Sequence, residues 1–349
     1  MNELKDNIHA SLKNKFPFVA YKKPNTSSGN VIFQKDSKEY FTNDYSENGF
    51  VFAPFNSDEK ALFIPFSNAE RHTFKIDTDS FLSESTIDVV ASKDERDNHI
   101  NLVQKGIDFI HHSTADKIVL SRKQVLEIEA IDLIKIYQKL VINYPSAYVY
   151  FWYHPATGVW MGATPEVLLS IKNEQFKIMS LASTQEYKGN LDVSWNTKEI
   201  EEHQIVTDYI VSKLETKDLK ISEAYTVKAG SLVHLRADIS GRIYSSDFDL
   251  KKMIQVLHPT PAICGMPKEL AKEFILKNEN YHREYYTGFL GEINDKTIDL
   301  FVNLRCMKLD ANQKQVSLYI GGGITKDSNA TLEWEETVAK SKVMKKVLF

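Results

Sequence analysis

Two strand pairs in the middle of the chain constrain the fold more than any other feature. Residues 147–161 read AYVYFWYH and VWM on either side of the turn residues Pro155 to Gly158. Residues 166–181 repeat the device, with EVLLSIK and QFKIMSL flanking Asn173-Glu174. Aromatic and β-branched runs broken by short turn-forming segments are the signature of hairpins. Long antiparallel pairings are therefore the framework of this protein.

The rest of the chain is arranged around them. Strand patterns cover Lys117 to Glu129, Ala224 to Ile243 and Tyr286 to Ile320. Helical period covers Asp94 to His111, Thr197 to Lys217, Asp249 to Leu257 and about Asn329 to Val347, and Pro267 opens a further helix to Lys277 as a first-turn residue. The first 110 residues say least, offering strand candidates at Phe16 to Tyr21 and Asn30 to Phe33. Blocks of strands with helices set between them, rather than strict βαβ alternation, point to an α+β fold.

Composition narrows the function classes. With 43 Lys+Arg against 47 Asp+Glu the net charge is −4, and no basic cluster offers a nucleic-acid footprint. No apolar run approaches the roughly 20 residues that cross a bilayer, and the N-terminus does not read as a secretory signal. Cys264 and Cys306 form no CxxC pair. A soluble cytoplasmic protein of a reducing compartment is expected, its hydrophobic fraction of 42% ample for a core.

Two helices carry the same chemical device. Glu199 and Glu202, and again Glu333 and Glu336, are three residues apart, which puts each pair on one helical face. The first stripe continues through Val206 and Tyr209, the second through Lys340, Val343 and Val347, so both lean inward at a helix end. A hard divalent cation with oxygen ligands would compensate four such carboxylates; either pair alone reads first as a solvated acidic face. Gly321-Gly322-Gly323 follows a strand, where bare backbone N–H groups can approach an anion, although a plain turn needs glycines too. Arg305 interrupts the apolar run of its strand and calls for an anion, from the protein or from a substrate. Lys117 and Glu166 stand where strands enter an apolar core, as a tuned acid–base pair would. His234 in LVHL is either a core histidine or a reacting one.

Taken in order, these pieces resemble the chorismate-utilising enzymes: isochorismate synthases, salicylate synthases, anthranilate synthase large subunits and aminodeoxychorismate synthases. The matching segments are KIVLSR (117–122), GATPEVLL (162–169), SLAST (180–184), KEIEEH (198–203), LVHL (232–235), HPTPAICGMP (258–267), YTGFLGEI (286–293), VNLRC (302–306), YIGGGIT (319–325) and EWEETVAK (333–340). The resemblance implies one large domain of two packed antiparallel sheets flanked by helices. A deep cleft would hold chorismate and one Mg²⁺. Residues 1–110 would then be the poorly matched N-terminal part of that fold and 111–349 its catalytic region. Glu202 and Glu336 become metal ligands, Glu199 and Glu333 their partners. Arg305, Tyr286, Gly321, Gly322 and Gly323 become binders of substrate carboxylates, with Ala262, Ile263, Gly265 and Lys340 on the substrate wall and His234 near the reacting ring edge.

The nucleophile separates the branches. Ammonia-adding members resemble this chain except for a glutamine at the position of Lys117, and aminodeoxychorismate synthases carry a nucleophilic lysine where this chain has Ser180-Leu181-Ala182. Water is left. The resemblance thus implies an isochorismate synthase serving menaquinone or siderophore synthesis, acting as a monomer without a glutaminase subunit. A salicylate synthase is the alternative, disfavoured by Ala262 where those enzymes tend to have threonine. A binder without turnover is a further one, and a zinc hydrolase would want a histidine pair that is missing. The chain departs from the family at Ser183, usually glycine, and at Gln185, often arginine.

Overall fold

The computed structural model describes residues 2–76, 91–214, 218–229, 232–244 and 248–349. Both hairpins are present, as Tyr148–His154 with Gly158–Thr164 and Val167–Lys172 with Gln175–Glu186. Asn173 and Glu174 both adopt left-handed backbone (φ +50 and +62), as a tight two-residue hairpin turn requires.

Each hairpin belongs to a different antiparallel sheet. The first sheet runs, edge to edge, Gly265–Met266, Lys117–Glu127, Gln315–Thr325, Cys306–Asp310, Gly158–Thr164, Tyr148–His154, Phe18–Lys22, Ser28–Gln34 and Ala69–Lys75. The second runs Lys220–Ile221, Leu232–Arg242, Gln175–Glu186, Val167–Lys172, Thr297–Val302, Phe289–Asn294, Gly49–Ala53, Ala61–Pro65 and Tyr40–Thr42. Tyr225–Ala229 adds a further strand beside Leu232–Arg242. The first 76 residues thus contribute strands to both sheets.

Strand alternation explains the layering. Tyr148, Tyr150 and Trp152 point into an aromatic layer between the sheets, where they meet Phe50, Phe52 and Phe301 of the second sheet. Tyr148 stacks on Phe301 at 4.1 Å and Phe52 lies 4.8 Å from Trp152. Val149 and Phe151, the alternate residues, face outward and pack under the helices Leu133–Asn143 and Ala330–Leu348. The helices Thr197–Lys213 and Leu250–Leu257 cover the outer face of the second sheet in the same manner.

Some expectations change at the boundaries. The strand expected over 224–243 is two paired strands, and the helix from Thr197 closes at Lys213, with residues 215–217 outside the described set. Pro267 is the N-cap of Lys268–Asn278 rather than its first residue. The helices Asn2–Asn14 and Leu133–Asn143 had no counterpart in the sequence reading. No described helix is long and apolar enough to cross a membrane.

Candidate active site

A cleft with an empty volume of about 1270 Å³, open to solvent, lies against the Lys117–Glu127 and Gln315–Thr325 strands. Arg283 secures its wall from behind. This buried guanidinium pairs with Glu279 at 2.6 Å and donates to the carbonyls of Val119 and Ile263 and to Thr287 Oγ1. Val119, Ile263 and Thr287 all line the cleft, so one cation fixes three segments of its surface.

Lys117 is fully buried at the start of its strand, and its Nζ lies 2.7 Å from Glu202 Oε1. Beyond that ion contact the ammonium finds no further partner among the described residues. Glu166 sits where Val167–Lys172 enters the core, beside a register shift in its pairing with Thr297–Val302. Burial pushes its carboxyl up to about 8, against the downward pull of Lys117 and Arg305. Glu166 is therefore chiefly protonated at neutral pH. Burial also works upward on Glu202, but Lys117, Lys340 and Lys198 together hold that carboxyl below its ordinary value. The two carboxyls are tuned in opposite directions.

Glu202, Glu333 and Glu336 gather round bare backbone. A Cβ on Gly323 would come within 2.5 Å of Glu202 Oε1, and one on Gly322 would lie 3.6 Å from Glu333 Oε2 and 3.8 Å from Glu336 Oε1. Each carboxylate has a lysine. Lys117 meets Glu202, Lys198 meets Glu333 at 3.0 Å and Lys340 meets Glu336 at 2.6 Å. Burial and then Glu336 raise the Glu333 carboxyl. Oxygen donors around a glycine step fit a hard divalent cation. Among the described residues, however, no three such groups close into a coordination shell, each being drawn to its own cation.

Glu199 lines the cleft too, but its carboxylate also serves its own helix. It completes a capping box, taking the Asn196 N–H at 2.8 Å while Asn196 Oδ1 accepts from its own N–H, and Gln185 donates to both its oxygens. Gln185 and Glu199 thus close the helix start beside the cleft.

The opposite wall is built for anions. Arg305, held at φ +46, donates to the Ala229 carbonyl and to His234 Nε2 at 2.5 Å, and makes no ion pair with a described carboxylate. Burial lowers it to about 10, so it remains a cation. His234 is held well below its ordinary value by burial, then by Arg305 and Lys340. Its Nδ1 lies 3.0 Å from the Ser183 carbonyl, so the neutral ring donates there and accepts from Arg305. The Cys306–Asp310 strand pairs with Gln315–Thr325 only as far as Leu318, which leaves one backbone edge of Gly321 to Gly323 facing the cleft. Lys340 reaches the Gly321 carbonyl, and Ala262, Ile263 and Tyr286 also line the wall. Gly265 does not. It packs behind, where a Cβ would meet the Lys117 carbonyl at 2.2 Å.

Ser183 keeps the conformation that a glycine would supply, φ +60 at a bulge in the pairing with Leu232–Arg242. Its Oγ donates to the Glu199 carbonyl at 2.5 Å. Sequence reasoning did not single out Lys198 or Arg283. A cation in the first turn of a helix, against the helix dipole, was a legible sign for Lys198.

Residues 49–349 match the family model described as chorismate binding enzyme. The isochorismate synthase DhbC of Bacillus subtilis is 27% identical over 274 residues, 72% of this chain and 67% of that protein. The isochorismate synthase EntC of Escherichia coli K12 is 28% identical over 310 residues, 83% of this chain and 78% of that protein. The structure of DhbC from Bacillus anthracis superposes with a TM-score of 0.80 at 22% identity, covering 98% of this chain and 99% of that one.

Proposed function

The chain belongs to the chorismate-binding enzyme family, and from that premise we propose that it is an isochorismate synthase, interconverting chorismate and isochorismate. One observation carries the branch: a buried lysine, Lys117, whose charge acts on a buried carboxyl, Glu166, that burial pushes towards its protonated form. The pair suits a reaction that removes a proton from water and delivers one to a leaving hydroxyl.

In the forward direction Lys117 accepts a proton as water oxygen bonds to C2 of the ring. The double bond shifts and the C4–oxygen bond breaks, with Glu166 protonating the departing hydroxyl so that it leaves as water. One water enters and one leaves, so the reaction is an isomerisation and runs back by exchanging the two roles. Each well-placed proton transfer is worth on the order of 10²–10⁴ in rate. Arg305, oriented by His234, and the open edge of Gly321 to Gly323 bind substrate carboxylate, and Tyr286 closes the ring side. Glu202, Glu333 and Glu336 would hold Mg²⁺, which when bound supplies charge neutralisation and orientation for the dianion.

The test is chromatography of products after incubation with chorismate and Mg²⁺, beside an EDTA control. A Mg²⁺-dependent mixture of chorismate and isochorismate is expected. Salicylate with pyruvate, or unchanged chorismate, would overturn the assignment.

A further inference from the structure

The three lysines of the carboxylate cluster are not equivalent. Lys117 is 1% exposed at its side chain and cannot leave Glu202 without a rearrangement of its strand. Lys340 stands on the same helix as Glu336, four residues on, and also binds the Gly321 carbonyl. Lys198 alone of the three reaches across from one helix to another. Its side chain is 36% exposed at the mouth of the cleft, while Glu333 is nearly buried.

Lys198 also occupies an unfavourable place. It is the second residue of the helix Thr197–Lys213, where the unsatisfied N–H groups already present positive charge. What compensates it is the far wall. Its Nζ lies 3.0 Å from Glu333 Oε1 and 3.1 Å from Ser328 Oγ, and Ser328 Oγ donates to the same Glu333 oxygen at 2.7 Å. Glu202 and Glu336 attract it as well. The contact ties the start of the Glu202 helix to the start of the Glu333 helix, the two elements that carry the carboxylates.

We propose that Lys198 is an exchangeable counter-ion: it neutralises Glu333 through Oε1, latches the two helices, and opposes the binding of a divalent cation at the oxygens that face Gly322. The proposal rests on the reading of Glu202, Glu333 and Glu336 as Mg²⁺ ligands. A monovalent ammonium beside the site repels an incoming divalent ion, so Lys198 sets metal affinity from outside the coordination shell. Because its side chain opens to solvent, it can withdraw without moving either helix.

The test is Mg²⁺ titration by calorimetry, together with thermal unfolding in EDTA and in saturating Mg²⁺, on the parent, Lys198→Met and Lys198→Arg. Removing a half-exposed ion contact of this kind changes affinity by about five-fold. Lys198→Met is therefore expected to bind Mg²⁺ about five-fold more tightly, to melt lower in EDTA, and to melt no lower than the parent in Mg²⁺. Lys198→Arg should keep parental affinity. Unchanged or weaker Mg²⁺ binding by Lys198→Met would overturn the proposal, as would equal losses of melting temperature in both buffers, which is the mark of a merely structural contact. A parent that binds no Mg²⁺ would instead refute the metal reading beneath it.

Discussion

Replacing Glu166 by glutamine should make the protein more stable as it makes it inactive, and by an amount that depends on pH. The folded carboxyl titrates near about 8 and the unfolded one near its ordinary 4.5. Below about pH 4.5 both states are protonated and Glu166 costs nothing. Between the two values only the unfolded state ionises, so stability falls as pH rises, by about 1.4 kcal/mol per pH unit. The accumulated cost is about 1 kcal/mol at pH 5, about 3 kcal/mol at pH 7 and about 5 kcal/mol by pH 9, where the folded group has ionised too. Glu166→Gln keeps the size and a polar neutral group but cannot ionise in either state. Denaturant unfolding of parent and variant at pH 5, 7 and 9 should show a gap that opens with pH along this course. The same variant should lose on the order of 10²–10⁴ in kcat/KM. In the parent, kcat/KM should fall as pH rises through about 8, when the acid loses its proton. A stability gap of equal size at all three pH values would refute the reasoning, because burial would then not be holding the proton on Glu166.

Three further outcomes are expected. Lys117→Gln should abolish isochorismate formation while Mg²⁺ and chorismate still bind by calorimetry; retained turnover would remove Lys117 from the mechanism. Glu336→Gln should weaken Mg²⁺ binding at least about tenfold, one charged ligand being worth more than 1.4 kcal/mol, and an unaltered Mg²⁺ titration would exclude Glu336 as a ligand. Ser183→Ala keeps the left-handed backbone and loses the bond to the Glu199 carbonyl, whereas Ser183→Gly loses the bond but relieves the backbone. Urea unfolding should therefore rank Ser183→Ala lowest, about 1 kcal/mol below Ser183→Gly, and equal stabilities would show that position 183 stores no strain.

What the sequence disclosed and what it withheld follow the range of the interactions. The hairpins were legible because both partners and their turn lie within about 20 residues, and Asn173-Glu174 marks the turn by composition alone. The helix Leu133–Asn143 was hidden because its residues, LIKIYQKLVIN, include four Ile or Val that suit strands; packing beneath the first sheet overrides that preference. The strand pattern over 224–243 could not reveal that its two halves pair with each other. At the site, three-residue spacing placed Glu202, Glu333 and Glu336 correctly on inward faces. It also coupled Glu199 to Glu202; Glu199 lines the same cleft while its side chain caps its own helix. Arg305 was weighed as a structural ion partner; only the fold reveals that its neighbours are a carbonyl and a neutral histidine. Two of the three lysine partners, Lys117 of Glu202 and Lys198 of Glu333, depend on contacts across 85 and 135 residues of chain, which no local pattern encodes.

Register converts those distant residues into one site. In the pairing of Lys117–Glu127 with Gln315–Thr325, Lys117 stands opposite Thr325 and Val119 opposite Gly323. Side chains alternate along the strand, so Ile118 and Leu120 face the helices Lys93–His111 and Lys268–Asn278 while Lys117 faces Glu202. A slip of one residue would exchange Lys117 for Ile118, putting an ammonium into an apolar cluster and an isoleucine against the carboxylates. The glycines make the correct register possible from both sides. Gly323 leaves room for Glu202 and the Lys117 stem, and Gly265, at φ +137, lets the adjoining strand close on the Lys117 carbonyl. Three backbone segments distant in sequence thus meet at one lysine, whose position leaves little freedom to the residues around it. The amine that Lys117 brings to the site is kept in place by strand pairing, and the apolar cluster behind it disfavours a one-residue slip.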